Sequence, residues 1–304
     1  MNENYIIKTT GLEHIHAKGV KTLTDINLTV KEGEIYGFLG PNGAGKTTTL
    51  RLILGLTKLQ SGKIEIFGKD FGDNRIEILR KVGSLIENPS LYGHLGAREN
   101  LEVYRALYRA SKARLIEVLK IVGLEDTGNK KVRQFSLGMK QRLSVALALL
   151  PNPALLILDE PANGLDPTGI VELRELVKRL NKQEGMTILM SSHQLAEIEK
   201  MVSHVGIISK GQIIFQGSLA QLGQLQQKQA QLHIHTSNDE LAMQVLSAYQ
   251  PEHVGNAISV NYTDEQQIAL MGRALHEKQL DIFLLHPQQN NLEQLFMDLT
   301  TQHA

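Results

Sequence analysis

The sequence predicts an α/β protein in two domains: a mixed sheet wrapped by helices over residues 1–218, with a helical insertion at about 88–150, and a small α/β domain over 219–304. Three observations carry that reading. Residues 34–39 (EIYGFL) form a short apolar run that passes through a glycine-rich stretch into a helical pattern at 46–54, the strand, loop and helix of an α/β layer. Strand and helix patterns alternate on either side of a stretch, 97–150, that reads as helix throughout. Beyond Gly217 a Gln-rich junction opens a second, shorter alternation.

Taken in order, residues 5–10 and 22–30 alternate apolar and polar side chains, with a turn at Lys31, Glu32 and Gly33, which predicts an antiparallel entry layer ahead of the glycine-rich loop. Residues 62–67 read as a strand, 75–81 as a short helix and 82–86 as another strand. In the insertion, Leu101, Tyr104, Leu107 and Tyr108 recur at helical spacing, and a second helix runs over 112–122. Strands return at 154–158, 186–191, 202–209 and 212–217, the last two paired, with helices at 168–181 and 194–200. In the second domain, after a helix or linker at 221–231, strands at 231–235, 257–261 and 281–285 alternate with helices at 239–249, 265–276 and 291–299. A domain of about 75 residues is near the lower limit for an independent core.

The chain has 304 residues, 32 basic and 32 acidic side chains, and no cysteine. That balance points to no nucleic-acid partner and no broadly basic membrane-binding face, and the lack of thiols excludes disulfides, cysteine nucleophiles and cysteinyl metal sites. The N-terminal MNENYIIKTT lacks the basic and apolar regions of a secretion signal. The most apolar stretch, 143–158, is broken by Pro151, Asn152 and Pro153 into pieces far below the roughly 20 residues a membrane span needs. A cytoplasmic location is expected.

Residues 40–48 (GPNGAGKTT) fit the pattern of two glycines around four residues, followed by Lys and Thr, that cradles nucleotide phosphates. Gly40, Gly43 and Gly45 let the backbone curl, and with Pro41, Asn42 and Ala44 they form a loop that turns N–H groups inward at a helix N-terminus. Lys46 is a point cation for the β and γ phosphates of a nucleoside triphosphate, the Thr47 hydroxyl is the expected Mg²⁺ ligand, and Thr48 touches the α phosphate. The entry layer then flanks the base. The bland alternative, a glycine-rich turn with a surface lysine, is disfavoured by the full pattern in its context.

Residues 155–161 (LLILDEP) form an apolar strand ending in two acids, at the edge where a parallel sheet presents groups to ligands. Asp159 would hold Mg²⁺, and Glu160 suits a general base that polarises the attacking water; a merely solvated loop is the weaker alternative. Residues 135–143 (FSLGMKQRL) put a Ser and a Gly at the start of a long helix, which by itself reads as a capped helix start or as an anion site.

In chain order, GPNGAGKTT, FSLGMKQRL, LLILDEP, NGLD at 163–166, and then Ser191, Ser192 and His193 resemble the motif series of ABC transporter ATPase subunits, from end to end of the first domain. The resemblance implies a P-loop NTPase fold with an antiparallel β subdomain and a helical insertion. It implies head-to-tail pairing with a second ATPase subunit, each ATP lying between the phosphate loop of one and the signature motif of the other. Ser136 and Gly138, with Met139 in the same motif, would then meet the γ phosphate of the partner's nucleotide. His193 would contact the γ phosphate held by its own loop, and Asp166 would carry contact across the dimer. An integral membrane permease follows as the further partner, and the inner face of the cell membrane as the location.

Three features depart from the usual pattern. Glu87, in SLIENPSLYGHL, stands where most of the family has Gln; a carboxylate can still ligate Mg²⁺, but in this coupling loop it should alter how the γ phosphate is sensed. A Glu here resembles the ATPases of bacitracin-resistance and lantibiotic-immunity exporters, which implies export of a peptide antibiotic, bacteriocin or other amphipathic compound. No aromatic for adenine is evident; His16 lies nearest that position, and its imidazole either stacks or does not. The signature reads SLGMK in place of SGGQ, keeping the Ser and the second Gly.

The ending LEQLFMDLT resembles C-terminal extensions of such export ATPases and reads as regulatory or dimer-supporting. His233 and His235 share a strand face, but with no third ligand nearby ordinary strand residues are favoured over a metal site. Rivals to a transport motor are weaker. A soluble ABC ATPase acting on DNA needs a long heptad insertion, a translation-factor relative needs two nucleotide domains, and Glu160 with His193 argue against a nucleotide-dependent regulatory module without turnover.

Overall fold

Alternation of apolar and polar residues builds the first strand, β1 (Tyr5–Ile15), which pairs antiparallel with β2 (Lys21–Ile26) and β3 (Thr29–Lys31). The sequence pattern suggests one strand over 22–30, but the chain breaks at Asn27 and Leu28. There the Asn27 side chain accepts the Gly11 N–H at 2.9 Å, while the buried Thr9 hydroxyl accepts the Leu28 N–H at 2.8 Å and donates to the Ile26 carbonyl at 3.0 Å. These side chains satisfy backbone groups that a continuous ladder would use. The structure is a computed structural model and describes residues 4–16, 19–86, 91–227, 231–255, 257–288 and 292–302. Glu87 lies outside the described residues.

From β4 (Ile35–Leu39) the chain passes through the glycine loop into α1 (Lys46–Ile53), then β5 (Ser61–Ile66) and β6 (Lys69–Asp70), which extend the entry sheet beside β1. Asp70 caps α2 (Phe71–Leu79) by accepting the Gly72 and Asp73 N–H groups, so this helix starts ahead of the expected residue 75. After β7 (Val82–Leu85), the insertion is three helices, as the sequence pattern suggests: α3 (Ala97–Tyr108), α4 (Lys112–Ile121) and α5 (Leu137–Leu149). Arg109 ends α3 in a left-handed conformation, φ 52°, and Ser111 caps α4 through the Arg114 N–H. Between α4 and α5 the described backbone makes two single 3₁₀ turns and an isolated antiparallel bridge from Lys131 to Gly96.

The remaining elements of this layer are β8 (Leu155–Leu158), α6 (Pro167–Glu184), β9 (Thr187–Ser192), α7 (Leu195–Ile198), β10 (His204–Ser209) and β11 (Gln212–Ser218). Their sheet has the order β11-β10-β4-β9-β8-β7, parallel from β10 to β7 and antiparallel at β11. Every residue of β4, β8 and β9 is buried, as expected for parallel strands covered on both faces. Lys210 and Gly211, at φ 45° and 76°, form the two-residue turn between β10 and β11. The strand order sets β4, β9 and β8 side by side, so the loop, the histidine and the acid pair all leave one carboxyl edge.

Residues cluster into two units, Met1–Ser218 with Leu299–Ala304, and Leu219–Asp298. The second unit contains α8 (Leu219–Gln227), β12 (Gln231–Thr236), α9 (Asp239–Val245), β13 (Glu252–Val254), β14 (Ala257–Asn261), α10 (Glu265–Glu277), β15 (Ile282–Gln288) and the start of α11 (Leu292–Gln302). From β12 to β15 the order is β-α-β-β-α-β and the antiparallel sheet runs β13-β14-β12-β15, a ferredoxin-like topology. Strand β13 is exposed and carries no burial alternation, which is why the sequence pattern does not reveal it. Leu232, Ile234, Ile258, Val260, Met271 and Leu275 form the core of this unit. His235 pairs with Asp239 at 3.0 Å, and no cluster of three metal-ligating side chains occurs among the described residues.

Candidate active site

The glycine loop is shaped by close approach. A Cβ on Gly40 would lie 2.4 Å from the Ile208 carbonyl oxygen, and Gly45, at φ 112°, would place one 2.5 Å from Leu23 Cδ2. Only glycine fits both places, so the loop lies flat against β10 and β2 and delivers the chain to α1. That helix starts with no acidic residue in its first turn and no side-chain cap, leaving its N-terminal dipole to whatever the loop holds. A cleft of about 320 Å³ opens there, lined by Asn42, Gly43, Gly45, Lys46, Thr47 and Thr48 from the loop and helix. Thr22, Glu160, Asn163 and His193 complete its wall.

Lys46 is only 5% exposed, so its ammonium requires partners. It donates to the carbonyls of Gly40 at 2.6 Å and Pro41 at 3.2 Å, and lies 3.1 Å from Glu160 Oε1. The other oxygen of Glu160 meets His193 Nδ1 at 2.8 Å, and His193 Nε2 meets the Gln194 amide at 3.0 Å. The carboxylate thus bridges a cation and an imidazole at the helix N-terminus. Asp159 is placed differently: its Oδ2 accepts from the Thr47 hydroxyl at 2.8 Å and its Oδ1 from the Ser191 hydroxyl at 2.5 Å. A hydroxyl and a carboxylate meeting beside the loop are hard oxygen donors of the kind Mg²⁺ takes.

Other sequence-predicted residues lie outside this cleft. Ser136 caps α5 by accepting the Met139 N–H at 3.2 Å, and Asp166 caps α6 by accepting the Gly169 N–H at 3.0 Å. Ser136 and Asp166 are exposed; Gly138 and Met139 are partly buried. His16 is exposed at the end of β1, with its N–H on the Val20 carbonyl, and does not line the cleft. On the entry-layer side the cleft wall is Thr22, whose hydroxyl lies 2.7 Å from His14 Nδ1. Sequence reasoning missed Thr22, since a threonine inside an alternating strand carries no signal. Ser191 belongs to the Ser191, Ser192 and His193 motif, but the sequence pattern assigns it no role.

The family described as ABC transporter matches residues 23–163. The chain is 43% identical to the bacitracin transport ATP-binding protein BcrA of Bacillus licheniformis, over 97% of each. It is 44% identical to the lantibiotic transport ATP-binding protein SrtF of Streptococcus pyogenes, over 64% of this chain and 83% of that one. The structure of cbiO1 from Clostridium perfringens, part of the ABC transporter complex cbiONQ, aligns with a TM-score of 0.67 at 26% identity, covering 81% of this chain and 96% of its own. The chain belongs to the ABC transporter ATP-binding family and is an ATPase of that family. Its fold class is that of these ATPase domains, and its relatives include transporter ATP-binding proteins of the bacitracin and lantibiotic type. Among the described residues, no helix is long and apolar enough to cross a membrane.

Proposed function

We propose that this chain is the motor of a peptide-antibiotic exporter: it binds and hydrolyses ATP at the cleft over α1, pairs with a second ATPase subunit, and acts on a separate membrane permease at the inner membrane face. The observation that carries the reading is the Glu160 bridge between Lys46 and His193 at the open N-terminus of α1. ATP phosphates enter on the loop amides and compete with Glu160 for Lys46, since one ammonium cannot serve two anions fully. Released from Lys46 but still held by His193, Glu160 is free to accept a proton from water at the γ phosphate. Thr47 and Asp159 would hold Mg²⁺, which when bound would offset phosphate charge. Ser136, Gly138 and Met139 serve the partner's nucleotide, Asp166 contacts the partner, and Glu87 reports to the permease. The bacitracin and lantibiotic relatives support a peptide cargo.

The test is resistance together with turnover. Expressed with its permease in a sensitive host, the wild type should raise the inhibitory concentration of bacitracin-class or lantibiotic peptides, and Glu160→Gln should not. In vesicles the same peptides should stimulate ATP hydrolysis. Strong hydrolysis with unchanged susceptibility to every such peptide would remove the cargo assignment. Hydrolysis unaffected by Glu160→Gln would remove the site assignment.

A further inference from the structure

Ser191 is a fully buried polar residue near the end of a strand, β9, whose preceding residues from Ile188 to Met190 are apolar and equally buried. A hydroxyl at zero exposure is retained at a cost unless it is bonded. Here it is used on both sides: it donates to Asp159 Oδ1 at 2.5 Å and accepts the Glu160 backbone N–H at 2.8 Å. Its two partners are consecutive residues just past the end of β8. Asp159 still donates its N–H to the Leu85 carbonyl of β7 at 2.8 Å, while Glu160 has left the sheet for a left-handed conformation at φ 47°. A non-glycine residue persists there only when its surroundings hold it.

We propose that Ser191 is a positioning residue whose single hydroxyl sets both the rotation of the Asp159 carboxylate and the backbone turn at Glu160. Holding Oδ1 stops rotation about the carboxylate's bond to Cβ, so Oδ2 stays directed at the Thr47 hydroxyl, 2.8 Å away. Holding the Glu160 N–H keeps the turn that brings its side chain to Lys46 at 3.1 Å and to His193 at 2.8 Å. Without the hydroxyl, a partly buried carboxylate oxygen and a backbone N–H both lose their partner. The turn then relaxes toward an ordinary conformation, and metal ligation and base placement fail together. Ser192 cannot substitute, because its hydroxyl is engaged with Gln194 and Glu197. The inference rests on the roles proposed above for Asp159 and Glu160.

The experiment compares Ser191→Ala and Ser191→Thr in the full chain with its permease. Readouts are kcat and KM, affinity for a fluorescent ATP analogue with Mg²⁺ and with EDTA, and hydrogen exchange in peptides covering Glu160. Ser191→Ala should lower kcat about tenfold or more, as expected for loss of one buried hydrogen bond at a reacting group. It should weaken the Mg²⁺-dependent part of nucleotide affinity, leave affinity in EDTA unchanged, and speed exchange at Glu160 without nucleotide. Ser191→Thr, which keeps the hydroxyl on a β-branched strand residue, should restore all three. Wild-type kcat and exchange in Ser191→Ala overturn the proposal. So does equal loss of affinity with and without Mg²⁺, which is the mark of a general packing defect, and so does failure of a folded Ser191→Thr to restore function. Glu160→Gln runs alongside: if it keeps turnover, the site assignment itself has failed, whereas a dead Glu160→Gln with a normal Ser191→Ala removes only the positioning role.

Discussion

The two motif-bearing ends of the first unit are built on opposite principles. In the cleft, side chains far apart in sequence bond to one another: Thr47 reaches Asp159 across 112 positions, and His193 reaches Glu160 across 33. At the start of α5 and α6, by contrast, Ser136 and Asp166 each bond only three residues ahead, to the N–H of Met139 and of Gly169. The cleft is assembled by the sheet and its polar groups satisfy each other within one chain. The helix starts are assembled by local capping and present small, exposed polar groups outward. The contrast teaches that a complete network and a half-site differ in where their partners are, not in how polar they are. It is the arrangement expected if the helix starts meet the nucleotide of a second ATPase subunit, whether a copy of this chain or a paired homologue.

The comparison can be broken most sharply at the cleft. Lys46→Ala and Glu160→Gln should each reduce turnover by about 10²–10⁴, the range for losing an electrostatic stabiliser or a general base. Glu160→Gln should leave ATP binding intact, and elution with ATP and Mg²⁺ should shift to a dimer.

Next in size is Ser136→Ala. Loss of the cap alone costs about 1 kcal/mol of helix stability and predicts little effect on turnover. A shared site predicts a far larger kinetic loss, and with it complementation: chains carrying Lys46→Ala mixed with chains carrying Ser136→Ala regain hydrolysis that neither shows alone, because one composite site is then intact. Absence of recovery in a mixed sample shown to contain heterodimers would sink the half-site reading.

A smaller effect should separate the units. Leu232→Ala empties a fully buried position in the second unit and should cost about 2–5 kcal/mol there, read by thermal unfolding, while nucleotide affinity stays at the wild-type value. An equal fall in affinity would show that the second unit supports the cleft.

The least effect concerns Asp239. Partial burial works against its charge, but the Thr236 N–H, His235 and the Thr236 hydroxyl outweigh it and hold the carboxyl below its usual range. A folded-state value below the unfolded one means the contribution is present above the unfolded value and is lost as pH falls through the folded one. Asp239→Asn should therefore flatten the acid limb of the stability curve slightly and leave turnover at neutral pH unchanged. Identical acid limbs for the two chains would argue against that link.

Much of the site was legible in the residues because its chemistry is carried by short contiguous patterns. GPNGAGKTT, LLILDEP and the histidine after a buried strand each name a side chain and the element that delivers it. The strand and helix alternation likewise follows from apolar periodicity, which is local. Legibility ended where backbone groups choose side-chain partners from elsewhere in the chain. The break at Asn27 and Leu28 depends on Thr9 and Gly11, and the early start of α2 depends on the Asp70 side chain turning back to cap it.

The sequence by itself determined the glycine loop, the identity of its cation and hydroxyl, the acid pair and the order of motifs, since these reside in consecutive residues whose local conformations follow from glycine, capping and burial. Only the tertiary structure decided that β9 lies between β4 and β8, that Glu160 meets both His193 and Lys46, that Thr22 faces the cleft, and that one buried hydroxyl on Ser191 ties Asp159 to the turn at Glu160. Sheet order is set by the summed burial of many apolar side chains and by chain connectivity, quantities that belong to no single stretch of sequence.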